Sequence, residues 1–406
     1  MAKIGDLPVE LLEHIFDDIL ISTFSPKWHR NVPTPNRALF PFNVASTCIL
    51  WLSVLKSKSK YWRQVVIDVA DDPTAFLDTL SLFKSDGYET ARIVIVFSSM
   101  KDPDSQASIP HDESIDEKVK VTENTRASAV FERLEGFVAD CGSIVFDLVY
   151  QSSLPSSARL CTHRLPLLHH LSLTCAIHDC DGVAADLQRK FYPLRSLKSI
   201  TITGVSFMEL CDRGPYRRFP LRQLFSLELS INHFVFKNAE QVKIFQTELA
   251  SINSYATLSL SNLNFTGVAS AQPSSDILLE VGHLVFDSVS VEFLNEFMPA
   301  IFHNQSVQIL SFQRCVIPDI RLFLDGFENL TETLQLLQLV DIPIDRHSLY
   351  NPIYGITPEH VRFLRCGNVT DKLLRNLASF EFVRIKTLEL HDCSGFTSNG
   401  DRKFVC

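Results

Sequence analysis

From Leu197 onward the chain repeats one pattern of hydrophobic positions: an apolar residue, two variable ones, a second apolar residue, one variable, a third apolar residue. Three residues further on comes another apolar residue, a Cys or an Asn, as in Leu224/Leu227/Leu229/Asn232/Phe234. Parallel sets are Leu197/Ile200/Ile202/Val205/Phe207, Tyr255/Leu258/Leu260/Leu263/Phe265, Val281/Leu284/Phe286/Val289/Val291, Val307/Leu310/Phe312/Cys315/Ile317 and Leu334/Leu337/Leu339/Ile342/Ile344. Val361/Phe363/Cys366 and Ile385/Leu388/Leu390/Cys393 are shorter copies. The fourth position of the pattern falls at residues 200, 227, 258, 284, 310, 337, 361 and 388. Strict alternation within each set predicts a short strand with one buried face. The segments at 238–249, 291–303, 318–330 and 370–380 carry apolar residues three and four apart, which predicts helices. Strand and helix alternating at a fixed period predict an α/β fold in which each repeat buries its apolar face against the next, with a parallel sheet on the concave side and helices on the convex side.

Residues that alternate with the ladder point away from that core. They are Thr201, Thr203, Glu228, Ser230, Ser259, Ser261, Val285, Asp287, Ser311, Gln313, Gln338, Val340, Arg362, Leu364, Glu389 and His391. Hydroxyls dominate the middle of this surface, and charge gathers toward its C-terminal end. As a face for a partner it nominates Thr201, Glu228, Asp287, Gln313, Gln338, Arg362, Leu364, Glu389 and His391, with the last four in the set carrying the strongest chemistry. The plain alternative is a solvated sheet face.

The N-terminal stretch DLPVELLEHIFDDIL places Leu7, Leu11, Leu12, Ile15, Phe16 and Ile19 on one side of a helix, with Glu10, Glu13, Asp17 and Asp18 opposite. Asp6 is a helix cap, and Pro8 is tolerated in the first turn. The order Leu7-Pro8-x-Glu10-Leu11-Leu12-x-x-Ile15-Phe16, followed by Val44, Cys48, Trp51 and Tyr61-Trp62, resembles an F-box. Two departures stand out: a long segment with Pro26, Pro33, Pro35 and Pro41 separates the halves, as in F-box proteins of fungal type, and Ile49 stands where the family usually has a basic residue. The repeat period resembles that of leucine-rich repeats. Cys366-Gly367-Asn368-Val369-Thr370-Asp371, with Leu374, is similar to the cysteine-containing subtype often found behind F-boxes.

These resemblances imply an F-box at 1–65 with an inserted loop at 21–41, then a right-handed leucine-rich-repeat solenoid at 66–406 with a polar insertion at 101–128. They imply a non-catalytic substrate receptor. The F-box would dock on a Skp-type adaptor, and through it a cullin-RING ubiquitin ligase, by Leu7, Pro8, Leu11, Leu12, Ile15, Phe16, Cys48 and Trp51. The repeats would hold a target protein. The rival reading is a repeat scaffold unrelated to ubiquitin, its N-terminal helices merely capping the first repeat.

Composition narrows the partners. A net charge of −9 gives no incentive to bind nucleic acid or an anionic membrane without a concentrated basic patch. No stretch reads as a membrane span or secretory signal, so the expectation is a reducing, cytoplasmic or nuclear setting. Phenylalanine is in excess, 30 Phe beside 8 Tyr and 3 Trp, so the core is expected to be filled by rings that need no polar partner.

Candidate chemistry is sparse. Cys161, His163, His169, His170, Cys175, His178 and Cys180 are zinc-type ligands in no recognised zinc spacing. Asp140-Cys141-Gly142-Ser143 lacks the flanks of a cysteine-protease nucleophile. Arg213, Arg217, Arg218 and Arg222 form the one basic cluster. No cofactor motif is present. Residues 101–128 read as a mobile insertion, and the end of the chain shows no evident capping helix.

Overall fold

The structure is a computed structural model. It describes residues 7–23, 41–62, 64–77, 92–100, 117–180, 191–211, 219–222, 224–267, 279–297, 307–316, 334–343, 358–371, 385–395 and 402–405. The chain divides into two compact units, Met1–Cys180 and Asp181–Cys406. The expected boundary near residue 65 falls inside the first of them. The expected helix at 318–330, residues 298–303 of the one at 291–303, residues 372–380 of the one at 370–380, residues 24–40 of the loop at 21–41, and Arg213, Arg217 and Arg218 lie outside the described residues.

The first unit begins with α1 (Val9–Thr23), α2 (Phe42–Ala45), α3 (Ile49–Lys56) and a 3-10 turn at Ser59–Trp62. It continues with β1 (Gln64–Asp68), α4 (Thr74–Leu77), β2 (Arg92–Phe97), α5 (Glu117–Leu134), β3 (Cys141–Tyr150), α6 (Ser157–Leu160) and β4 (His170–Ile177). Its four strands pair in chain order and all run parallel. The second unit contains β5 (Ser199–Thr203), α7 (Gly204–Cys211), β6 (Leu227–Phe236), α8 (Ala239–Ala250), β7 (Tyr255–Phe265), β8 (Val281–Asp287) and α9 (Val291–Phe297). There follow β9 (Ile309–Gln313), β10 (Leu336–Val340), β11 (His360–Leu364), β12 (Thr387–His391) and β13 (Arg402–Val405). Strands β5 to β12 again pair in order and parallel.

The register sorts the strands of the second unit into rows. Ile200, Leu229, Leu258, Leu284, Leu310, Leu337, Val361 and Leu388 stand side by side, and all are buried. Two residues on, Ile202, Ile231, Leu260, Phe286, Phe312, Leu339, Phe363 and Leu390 form a second buried row. The sequence pattern placed Leu227, not Leu229, beside Ile200. Leu227, Leu229 and Ile231 alternate without a break, so a shift of two keeps every side chain on its face, and only the pairing decides.

Phenylalanine fills the space behind these rows. Phe207 of α7 meets Phe245 of α8 at 5.1 Å, Phe245 meets Phe236 at 5.2 Å, and Phe236 stacks on Phe293 of α9 at 5.1 Å. Phe293 stacks on Phe297, Phe297 lies 6.0 Å from Phe286, and Phe286 stacks on Phe312 at 5.3 Å. Helix α8 starts where Asn238 accepts a hydrogen bond from the Gln241 amide, while Gln241 Oε1 accepts one from the Lys237 amide. Helix α7 starts at Gly204, where a Cβ would come within 2.3 Å of Phe234 Cβ. Only glycine fits there, and the helix replaces the extended chain expected through Val205 and Phe207.

A left-handed corner recurs in every repeat from β6 to β12, inside the long strands β6 and β7 and directly after the shorter strands β8 to β12. His233, Asn262, Ser288, Arg314, Asp341, Arg365 and Asp392 have φ between 50° and 54°. From Ser288 to Arg365 the corner amide donates to a carbonyl of the following repeat, for example Arg314 to Val340 O and Asp341 to Leu364 O. One step beyond the corner, the thiols of Cys315, Cys366 and Cys393 donate back to Phe286 O, Leu339 O and Phe363 O of the preceding repeat.

One expectation needs correction. The polar insertion at 101–128 ends in helix α5, whose inner side buries Glu123, Ala127, Val130, Phe131 and Leu134. Both carboxylate oxygens of Glu123 accept backbone amides at the end of β3, from Val149 at 3.2 Å and Tyr150 at 3.0 Å. Arg126 donates to Val69 O and Ala70 O, so this helix is anchored through charge-assisted bonds as well as apolar surface. At the end of the second unit, where the sequence shows no evident capping helix, β13 runs antiparallel along β12.

Candidate functional site

Two surfaces present uncommitted side chains. The first lies on α1 and α3. Their shared core is closed by Leu12, Phe16, Val54, Leu55, Tyr61 and Trp62. Phe16 lies edge-on to Trp51 at 5.4 Å and to Tyr61 at 6.1 Å. Tyr61 Oη donates to Asp17 Oδ1 at 2.8 Å and to Glu13 O at 3.2 Å, Lys60 reaches Asp17 at 2.8 Å, and Lys58 reaches Glu13 at 3.0 Å. The Lys60 hydrogen bond, against some desolvation and with help from Tyr61, holds the Asp17 carboxyl below its usual range. Burial and the facing Asp17 push the Tyr61 phenol well up. Trp62 Nε1 donates to Leu55 O at 2.8 Å.

With the acidic side of α1 pinned in this way, the expected adaptor residues divide. Leu12 and Phe16 are fully buried and belong to the hairpin's own core. Leu7 and Trp51 are half-buried, and Pro8, Leu11, Ile15 and Cys48 are exposed. Three aliphatic residues beyond the expected adaptor set join them outside: Val9, Leu50 and Ile49, the last 87% exposed. Ile49 was visible as a departure from the pattern, an apolar residue where a basic one is usual.

The second surface is the sheet face opposite the helices in the second unit. Its middle row is Thr201, Ser230, Ser259, Val285, Ser311, Gln338, Arg362 and Glu389. Asp287, Gln313, Leu364 and His391 stand in the row at the strand ends, and Glu228 in the row at the strand starts. Thr203 turns from the face to cap α7, accepting the Ser206 amide at 3.2 Å. Ser311 and Val340 are buried.

The structure brings the polar members together at one end. Arg362 Nε donates to Glu389 Oε2 at 2.8 Å, and His391 Nε2 lies 3.7 Å from the same oxygen. His360 Nδ1 is 2.6 Å from Thr387 Oγ1. Burial lowers the pKa of His283, in the row at the strand starts. The left-handed corner borders this face with two ion pairs not foreseen in the sequence, Arg314–Asp287 and Arg365–Asp341. The Arg365 hydrogen bond holds the Asp341 carboxyl below its usual range.

The remaining candidates find structural roles. Cys141 is buried at the start of β3. His178 Nδ1 lies 2.8 Å from Gln151 Oε1 and 3.4 Å from Cys175 Sγ. Beside them Asp179 accepts from the Ser152 amide at 2.9 Å, from Ser152 Oγ at 2.6 Å and from Lys120 at 3.1 Å. Burial alone would raise the Asp179 pKa, and these hydrogen bonds more than offset it, leaving the pKa lowered. Among the described residues no group of three or more His, Cys, Asp or Glu is placed to hold a metal ion, and no helix is long and apolar enough to cross a membrane. No protein-family model matches this chain, and no curated protein matches it.

Proposed function

We propose that the chain is a non-catalytic substrate receptor of a cullin-RING ubiquitin ligase of the Skp-cullin-F-box type, working in the cytoplasm or nucleus. The helices of residues 1–65 act as an F-box that docks on a Skp-type adaptor, and a right-handed leucine-rich-repeat solenoid presents its open sheet face to a target protein. One observation carries the reading: α1 and α3 complete their shared core and still leave Val9, Leu11, Ile15, Ile49 and Leu50 outside it. Aliphatic residues left over in this way mark a helix-in-groove interface. The parallel register and the unbroken left-handed corner support the repeat assignment. The receptor contributes proximity, holding a target near chemistry performed by other subunits.

The test is co-purification of the full chain with a Skp-type adaptor. Leu11→Asp and Ile15→Asp, at exposed positions, are expected to abolish binding while leaving the melting temperature unchanged. Leu12→Asp is expected to unfold the hairpin instead. A wild-type chain that does not bind the adaptor would leave the scaffold reading in its place.

A further inference from the structure

Among the described residues, three arginines stand on or beside the open sheet face of the second unit, and two of them are spoken for. Arg314 gives Nε and a terminal nitrogen to the two oxygens of Asp287. Arg365 does the same to Asp341, at 2.7 and 2.6 Å. Each fork is closed by its own aspartate, and both sit at the left-handed corner. Arg362 differs in place and in pairing. It stands in the middle row of the face, between Gln338 and Glu389, with its side chain 37% exposed. Only its Nε is engaged, by Glu389, and its two terminal nitrogens have no acceptor among the described residues.

We infer that Arg362 is a recognition point for a carboxylate, the side chain of an Asp or Glu in an extended segment of the target protein. This rests on the reading of the open face as the target-binding surface. A guanidinium presents its donors in a planar fork that matches the two oxygens of a carboxylate. Glu389 holds the Nε edge of the group, so its orientation is set before a partner arrives and little side-chain freedom remains to be lost. Leu364, two residues along the same strand, lies about 7 Å away, one side-chain repeat of an extended chain. Leu336 stands diagonally across on β10. Both are half-buried apolar groups that would shield the fork from water once a segment covers them. Arg362 and Glu389 offset one another in charge, and Lys403 of β13 stands next in the same row, beside Glu389. Selection by Arg362 itself comes from its directed hydrogen bonds.

The test uses an array of immobilised ten-residue peptides with a central Glu and a Leu two residues to each side, beside versions with Gln, Lys or phosphoserine at the centre. The labelled full chain is expected to be retained on the Glu peptides about tenfold better than on the Gln peptides, the worth of a charge-assisted bond. Arg362→Gln should erase that preference and Arg362→Lys should weaken it. Arg365→Gln, which removes a fork already closed by Asp341, should leave the preference intact. Melting curves of all three variants confirm folding. Equal retention of Glu and Gln peptides, no retention of any peptide, or an unchanged preference in Arg362→Gln overturns the inference. Stronger retention of phosphoserine than of Glu overturns the choice of carboxylate. Adaptor co-purification, measured on the same variants, reads the N-terminal function separately.

Discussion

The strands of the two units share an inner code and differ on their open faces. Ile67, Val96, Phe146 and Leu173 form a buried row in the first unit, as Ile202, Ile231, Leu260 and Phe286 do in the second. The middle open row of the first is Val66, Ile95, Val145 and Ser172. In the second it runs from Thr201, Ser230 and Ser259 to Gln338, Arg362 and Glu389. An aliphatic row gives a partner no direction, whereas hydroxyls and a half-engaged arginine do. Inward rows thus specify the fold, and outward rows are free to diverge toward recognition.

That separation can be broken most forcefully at Phe286, packed between Phe297 and Phe312. Phe286→Ala is expected to cost about 3–5 kcal/mol in chemical denaturation, and Phe146→Ala a similar amount in the first unit. Ser259→Ala on the open face should stay within about 0.5 kcal/mol. Comparable losses at all three positions would erase the distinction between faces. Gly204→Ala comes next, at about 1–3 kcal/mol, because the added methyl runs into Phe234. A smaller effect separates backbone from charge at the corner. Arg365→Val and Arg365→Gly both delete the ion pair with Asp341, yet the valine variant should melt lower, by about 1–2 kcal/mol, since a β-branched residue resists a positive φ.

The mildest effect is on pH dependence, and it falls on the first unit. The folded pKa of Asp179 is below its unfolded value near 3.9, so its contribution is present above that value and fades as pH falls through the folded pKa. Asp179→Asn should lower stability at pH 7 and flatten the acid limb of a pH–stability curve. An unchanged limb would show that Asp179 does not govern it.

The ladder and the ring-filled core were legible in the sequence because alternation and period are properties of residue types. Leu258, Leu284 and Phe286 announce themselves. Helix α5 was not legible because Glu123 and Arg126 tie it to strand ends, and such charges look solvated until a buried amide or carbonyl is seen against them. The left-handed corner was hidden for a different reason. Only Asn262 and His233, with Asp341 and Asp392, belong to the types that favour positive φ, while Ser288, Arg314 and Arg365 are held there by the repeat around them. At the candidate sites, the facing of the open rows followed from alternation. Whether Leu12 or Leu11 looks outward did not, because both lie on the apolar side of one helix.

The row of thiols behind the corner carries a kinetic consequence. Burial pushes the Cys366 thiol up to about 11 and also raises that of Cys315. At neutral pH about one Cys366 in ten thousand is a thiolate, the form that reacts. Alkylation of Cys315 and Cys366, both buried, must wait for the repeat to open. Cys48, exposed ahead of α3, needs no such event. One thiol reagent applied to the whole chain therefore reads two clocks, the access of the N-terminal hairpin and the breathing of the repeats.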